Sequence, residues 1–212
     1  MTAKTLLVTT GATVTFKALV INVLKQEFLS GAVKLGFKTV IIQYGNEIKD
    51  NVHVSEKFVE ETLTNSDLFN RLNLKPISSN SDTFPKEKQL KIYSNSDFEL
   101  LLLPFSNNIN YYVNKADLVI SHAGTGSIID ALRSSKKLLV VINDTLMDNH
   151  QTEVAAEFCR QNYCGSLGSK DITDSRIFLD AIQRQLVNSN TEFVTDTSNI
   201  IQSIIYEELV SL

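Results

Sequence analysis

Three short stretches of the chain combine glycine, hydroxyl, amide and imidazole groups at spacings that suit a phosphorylated, hydroxyl-rich ligand. The most specific is Ser121-His122-Ala123-Gly124-Thr125-Gly126-Ser127-Ile128-Ile129-Asp130, set between an apolar run and an expected helix. Gly124 and Gly126 let the backbone approach an anion with no Cβ in the way, and the start of a helix aims unpaired N–H groups at it. Each such charge–dipole contact contributes roughly 0.3 to 1 kcal/mol, and a diphosphate suits the arrangement. Thr125 and Ser127 add hydroxyls. His122 can supply a hydrogen bond or, when protonated, a charge. Asp130, one helical turn past Gly126, can accept from ribose hydroxyls. The second stretch, Thr9-Thr10-Gly11-Ala12-Thr13, follows the first apolar run and can bring backbone amides close to an anion. The third runs from Asn143 to Gln151. Asp148 can be explained as a helix cap. The dense polar fringe of Asn143, Asp148, Asn149, His150 and Gln151 is of the kind that recognises a sugar.

Several function classes are disfavoured. A G-x-G-x-x-G dinucleotide fingerprint would need glycine where Ile129 stands and would follow the first strand, so a Rossmann-like NAD(P)-dependent oxidoreductase is the weaker alternative. There is no P-loop motif and no Asp-x-Asp for metal-bridged donor binding, so neither a cofactor nor a metal is expected. A net charge of −4 argues against nucleic acid. Cys159 and Cys164 lack a second Cys/His pair for zinc and read as two reduced thiols of a cytoplasmic protein. The apolar runs Leu100 to Leu103 and Leu138 to Ile142 fall far short of the ~18 residues of a membrane span. Met1-Thr2-Ala3-Lys4 enters a strand-like run at once, leaving no room for a signal peptide.

The elements that must position these stretches alternate regularly. With 43% hydrophobic and 21% charged residues, the 212-residue chain reads as one domain over 1–212 with a substantial core. Strands are expected at Thr5 to Thr10, Lys38 to Gln43, Phe98 to Leu103, Leu118 to Ser121 and Leu138 to Ile142. Helices are expected from Phe16 to near Gly31, Val52 to Leu72, Asn107 to Lys115, from Gly126, Met147 to Gln161 and Ile177 to Val187. The Ser/Asn-rich stretch 73–96 reads as a mobile surface excursion. Nearly continuous apolar strands alternating with helices predict an α/β, Rossmann-like, doubly wound and mostly parallel sheet. A last helix at about 198–211 carries Ile200, Ile201, Ile204, Ile205 and Leu209 on one side; this stripe must be covered, either by packing back onto its own domain or by docking on another polypeptide, the functional role expected of it.

The three stretches together resemble the fungal cytosolic subunits of the UDP-N-acetylglucosamine transferase of dolichol-linked oligosaccharide synthesis, over most of the chain. That family is similar to the C-terminal, donor-binding half of GT-B glycosyltransferases, including the bacterial enzyme that adds GlcNAc to lipid II precursors. The resemblance implies transfer of GlcNAc from UDP-GlcNAc to dolichyl-diphosphate-GlcNAc, with inversion. It also implies a membrane-anchored partner subunit, like the N-terminal half of a GT-B enzyme, that holds this chain on the cytosolic face of the endoplasmic reticulum. Carried over by motif, Gly11, Ala12, Thr13 and His122 to Ser127 would hold the diphosphate, Asp130 would meet ribose, and His150 and Gln151 would face GlcNAc. Residues 51–96 match the family poorly, and Asp130 is shorter than the Glu of the bacterial relatives. No residue stands out as the general base, so it is expected on the partner, which makes this half inactive alone. A nucleotide-sugar-binding scaffold without catalysis is the other alternative.

A chain truncated after Thr197 is expected not to co-purify with the membrane subunit; retained co-purification would remove the last helix as the docking element.

Overall fold

Strand β1 (Lys4–Thr9) carries Leu6, Leu7 and Val8, all without accessible surface, so both of its faces must be covered. The computed structural model, which describes residues 3–11, 14–77, 89–143 and 149–190, with side chains except at 149–152 and 154, shows how. After β1 come α1 (Lys17–Val23), α2 (Gln26–Lys34) and β2 (Phe37–Gln43). A small hairpin, β3 (Ile48–Lys49) and β4 (Val52–His53), leads into α3 (Val54–Ser66) and α4 (Leu68–Arg71). Then follow β5 (Lys75–Ile77), β6 (Lys91–Ser94), β7 (Glu99–Leu103), α5 (Ile109–Lys115), β8 (Leu118–Ser121) and α6 (Thr125–Arg133). The described part closes with β9 (Lys137–Ile142), α7 (Asn149–Arg160), β10 (Gly165–Gly168), a 3-10 turn (Asp171–Thr173) and α8 (Ser175–Val187).

Among the described residues the main sheet has eight strands in the order β10-β9-β8-β1-β2-β7-β6-β5. The six from β10 to β7 run parallel, while β6 and β5 add an antiparallel edge. Because side chains alternate along a strand, the two faces collect different residues. Leu6, Val8, Val40, Ile42, Leu118 and Ile120 face the core built with α1, α2, α3, α4 and α8. Leu7, Ile41, Leu101, Val119 and Val140 face a second core built with α5, α6 and α7. This is the doubly wound, mostly parallel α/β architecture that the alternation predicts.

Four elements differ from the sequence expectation. The helix expected from Phe16 to near Gly31 is two helices, because Lys25 is extended (φ −69, ψ 141) and its ammonium is held by the Thr173 carbonyl at 2.8 Å. Gly31 does not stop a helix; it lies inside α2, where α8 crosses so closely that a Cβ would overlap Leu179. Phe28 and Phe178 stack beside it with ring centroids 4.8 Å apart. The expected helix Val52 to Leu72 begins only at Val54, after the β3–β4 hairpin, and breaks at Asp67, which is left-handed (φ 52). The excursion over 73–96 begins and ends as strands β5 and β6, with Ile92 buried against the sheet, while 78–88 lie outside the described residues. Strand β10, whose Gly-Ser-Leu-Gly has no strand pattern of its own, was not expected; it forms because β9 offers a parallel edge. The expected helix at 198–211 lies outside the described residues.

Gly31→Val is expected to force α2 and α8 apart and lower stability by roughly 1–3 kcal/mol, read by chemical denaturation.

Candidate functional site

The chain runs outward from β1 to β2 and β7, then crosses back to place β8 on the other side of β1. The loops leaving β1 and β8 therefore feed helices on opposite faces of the sheet, α1 on one and α6 on the other, and a crevice opens between them. In open α/β sheets this switch point is where ligands bind. The strands arrive there with a polar residue at or just past their carboxyl ends: Thr9 on β1, Gln43 on β2, Ser121 on β8 and Asn143 after β9, all buried. Thr9 and Ser121 are register partners.

At the crevice floor the imidazole of His122 is wedged between the two loops. A Cβ on Gly11 would stand 2.8 Å from His122 Nε2, and one on Gly124 only 2.6 Å, so neither position tolerates a side chain while the ring stays there. Gly11 also has φ 91, a conformation other residues seldom adopt. The His122 backbone N–H donates to the Thr9 carbonyl at 3.2 Å, tying the two loops together. Between His122 and Gly124, buried Ala123 is held left-handed (φ 69), a strain of about 1–2 kcal/mol that the packed surroundings maintain. Burial pushes the His122 ring below its ordinary value of 6.5, and the nearby Thr9 carbonyl offsets this only in part. Burial thus disfavours the charged form of the ring, which suits a hydrogen bond better than a charge. Its Nδ1 and the Ser121 hydroxyl are buried and have no hydrogen-bond partner among the described residues.

Gly124 is extended (φ −71, ψ 126) and caps α6 without a side chain, so the helix opens at Thr125 rather than at Gly126. Thr125, Gly126 and Ser127 form its first turn, where N–H groups have no intrahelical acceptor. Around Gly126, no atom of the described residues lies within 4 Å of a Cβ built there. Asp130 follows one turn later, half-buried. Ile128, Ala131 and Leu132 pin the other side of α6 into the core, which fixes where its first turn points.

The structure therefore brings Gly11, His122 and Gly124 into contact, with Thr125, Gly126, Ser127 and Asp130 on the helix that leaves the same loop. Asn143 lies on the same edge, one strand further along. Asn149, His150 and Gln151 are the first residues of α7, but their side chains, like Ala12, Thr13 and Asp148, lie outside what is described. One contributor escaped the sequence reading. Gln43 accepts from Thr10 N–H (3.1 Å) and from the Thr10 hydroxyl (3.2 Å) through its backbone carbonyl, and its side-chain amide donates to the Gly11 carbonyl at 3.4 Å. It props the glycine turn from the neighbouring strand. Its signal was present in the sequence as the polar residue that ends an apolar strand. Among the described residues no group of three His, Cys, Asp or Glu is placed to hold a metal ion.

Comparison with known proteins bears on this geometry. The model of the glycosyltransferase family 28 C-terminal domain matches residues 5–204. The UDP-N-acetylglucosamine transferase subunit ALG13 of Candida albicans is 42% identical over 97% of this chain and 74% of its own length. The subunit of the same name from Debaryomyces hansenii is 37% identical over 96% of this chain and 98% of its own. The NMR solution structure of ALG13 superposes with a TM-score of 0.67 at 31% identity, covering 96% of each chain.

Because the folded His122 resists protonation while the unfolded one does not, stability is expected to fall as pH drops below about 6.5. His122→Gln should flatten that part of the profile; an unchanged slope in denaturation between pH 7 and 5.5 would show that the ring is not buried as described.

Proposed function

Since the chain belongs to the glycosyltransferase family 28 C-terminal domain family, we propose that it is the donor-binding subunit of a UDP-N-acetylglucosamine transferase that extends dolichyl-diphosphate-GlcNAc by one GlcNAc. The observation that carries this reading is the contact of Gly11 and Gly124 with the His122 ring, directly before the first turn of α6. That arrangement offers a close-approach surface and convergent N–H donors to a diphosphate.

In the proposed reaction the acceptor hydroxyl attacks the anomeric carbon of GlcNAc from the side opposite UDP, so the configuration inverts. Negative charge gathers on the departing diphosphate, and this chain stabilises it. The amides of Thr125, Gly126 and Ser127, the backbone from Gly11 to Thr13 and the His122 ring are assigned to that task. The amides at the start of α6 and the loop at His122 are fixed before substrate arrives, by the core side of α6 and by the Thr9 carbonyl, so little reorganisation is needed there as the bond breaks. Asp130 is assigned to the ribose hydroxyls. Asn143, Asp148, Asn149, His150 and Gln151, at the carboxyl end of β9 and the start of α7, are assigned to GlcNAc. The proton of the attacking hydroxyl goes to a base that we place on a membrane-anchored partner, which also presents the lipid acceptor. No helix among the described residues is long and apolar enough to cross a membrane, and the chain is proposed to reach the cytosolic face of the endoplasmic reticulum through that partner.

The test adds purified chain to membranes that contain the partner but lack this subunit, and follows labelled GlcNAc from UDP-GlcNAc into a GlcNAc-diphosphate lipid. Transfer should be restored by the native chain and fall roughly a hundredfold or more with His122→Ala. Gly124→Val should abolish it through the clash with the ring. Gly126→Ala, free of steric conflict, should fold normally yet weaken donor binding by crowding the phosphate. Membrane binding without transfer would leave a nucleotide-sugar-binding scaffold as the better account.

A further inference from the structure

The chain's two cysteines meet at a corner that the transfer reading does not use. Helix α7 ends in a Schellman turn: Asn162 is left-handed (φ 60), its N–H bonds to the Cys159 carbonyl at 2.9 Å, and the Tyr163 N–H bonds to the Phe158 carbonyl at 3.0 Å. The rings of Phe158 and Tyr163 pack across the turn, with centroids 6.3 Å apart. From the segment that follows α8, the Asn190 side chain donates to the Tyr163 carbonyl at 3.1 Å and holds the corner from outside. The turn folds the chain back so that Cys159, half-buried on the last turn of α7, and Cys164, buried just before β10, have their sulfurs 2.6 Å apart. Both are free thiols. The Cys164 S–H stabilises a thiolate on Cys159, whereas its hydrogen bond to Cys159, and then burial, push the Cys164 thiol up. The more accessible sulfur is thus also the more nucleophilic one.

We propose that Cys159 and Cys164 form a dithiol modification site that small-molecule disulfides convert reversibly into an intramolecular disulfide, with Cys159 attacking and Cys164 resolving. The Cys159 thiolate attacks one sulfur of the small disulfide, forming a mixed disulfide and expelling one small thiolate. Cys164 then gives up its proton, which that thiolate accepts, and attacks the Cys159 sulfur, expelling the second small thiol. The protein dithiol is oxidised by two electrons, the small disulfide is reduced to two thiols, and a dithiol reductant reverses both steps. The helix-terminating turn already holds the sulfurs together, so closure needs little backbone movement, and it staples the end of α7 to the start of β10.

Glutathione disulfide is the probe, applied to the full native chain. Its two cysteines make thiol counting unambiguous. Free thiols should fall from two to none, peptide mapping should give a Cys159–Cys164 cross-link within a monomer, and dithiothreitol should restore both thiols. Cys164→Ser should stop at a glutathione adduct on Cys159; Cys164→Ala serves the same purpose should serine be poorly tolerated in the buried position. Cys159→Ser should react about tenfold more slowly than the native chain. Cross-links between chains, stable separate adducts on both cysteines, or a Cys159→Ser rate equal to the native one would overturn the assignment.

Discussion

The packing of one imidazole against two positions that have no Cβ sets the geometry of the crevice. His122 fills the gap between the β1 and β8 loops, and it can do so only because Gly11 and Gly124 present bare backbone to it. The distance between those loops is therefore fixed by the thickness of a ring. The direction of α6 follows, since Gly124 is both the wall of the ring's slot and the residue that caps the helix. Left-handed Ala123 is the cost of making so sharp a corner between strand and helix, and such strain persists only where the surroundings over-determine it.

Those surroundings are the two cores. Strands buried on both faces cannot slide, because a shift of one residue would exchange the two sets of side chains. At the amino edge the register of β1 against β8 is clamped by Thr5 and Asp117: the Thr5 N–H donates to the Asp117 carboxylate at 2.7 Å, and the Asp117 N–H donates to the Thr5 carbonyl at 2.9 Å. At the carboxyl edge it is clamped again where His122 N–H meets Thr9. Between these clamps the strands are wholly apolar, and the polar groups gather at the end where the loops leave. A buried amide such as that of Gln43 is stable there because it donates to the Gly11 carbonyl while its backbone carbonyl accepts from Thr10, so the residue that satisfies the buried backbone also shapes the crevice.

The elements that were legible in the sequence are those whose signal is local. The five strands expected from their apolar runs appear within a residue or so of the expected bounds, because a parallel strand covered on both faces must be apolar throughout. The glycine-led start of α6 was legible for the same kind of reason: glycines, hydroxyls and a helix start lie next to one another in the chain. What misled was long-range. Gly31 looks like a helix stop in sequence, but its missing Cβ makes room for Leu179, far along the chain. Lys25 interrupts a continuous apolar stripe where the backbone turns extended and its ammonium reaches a carbonyl of the distant 3-10 turn. Strands β5 and β6 sit in a polar, Ser/Asn-rich stretch and form because β7 has an open edge to pair with.

The sequence by itself determined the fold class and the positions of the central strands along the chain, since periodicity and turn residues are written in neighbouring residues; the order of those strands in the sheet came from the structure. Tertiary structure alone decided that Gly11 and Gly124 share one imidazole, that burial disfavours its charged form, that Gln43 supports the turn and that Cys159 touches Cys164. Each of these depends on distances and solvent exclusion between groups that the chain brings together only after the sheet has closed, and no local pattern encodes them.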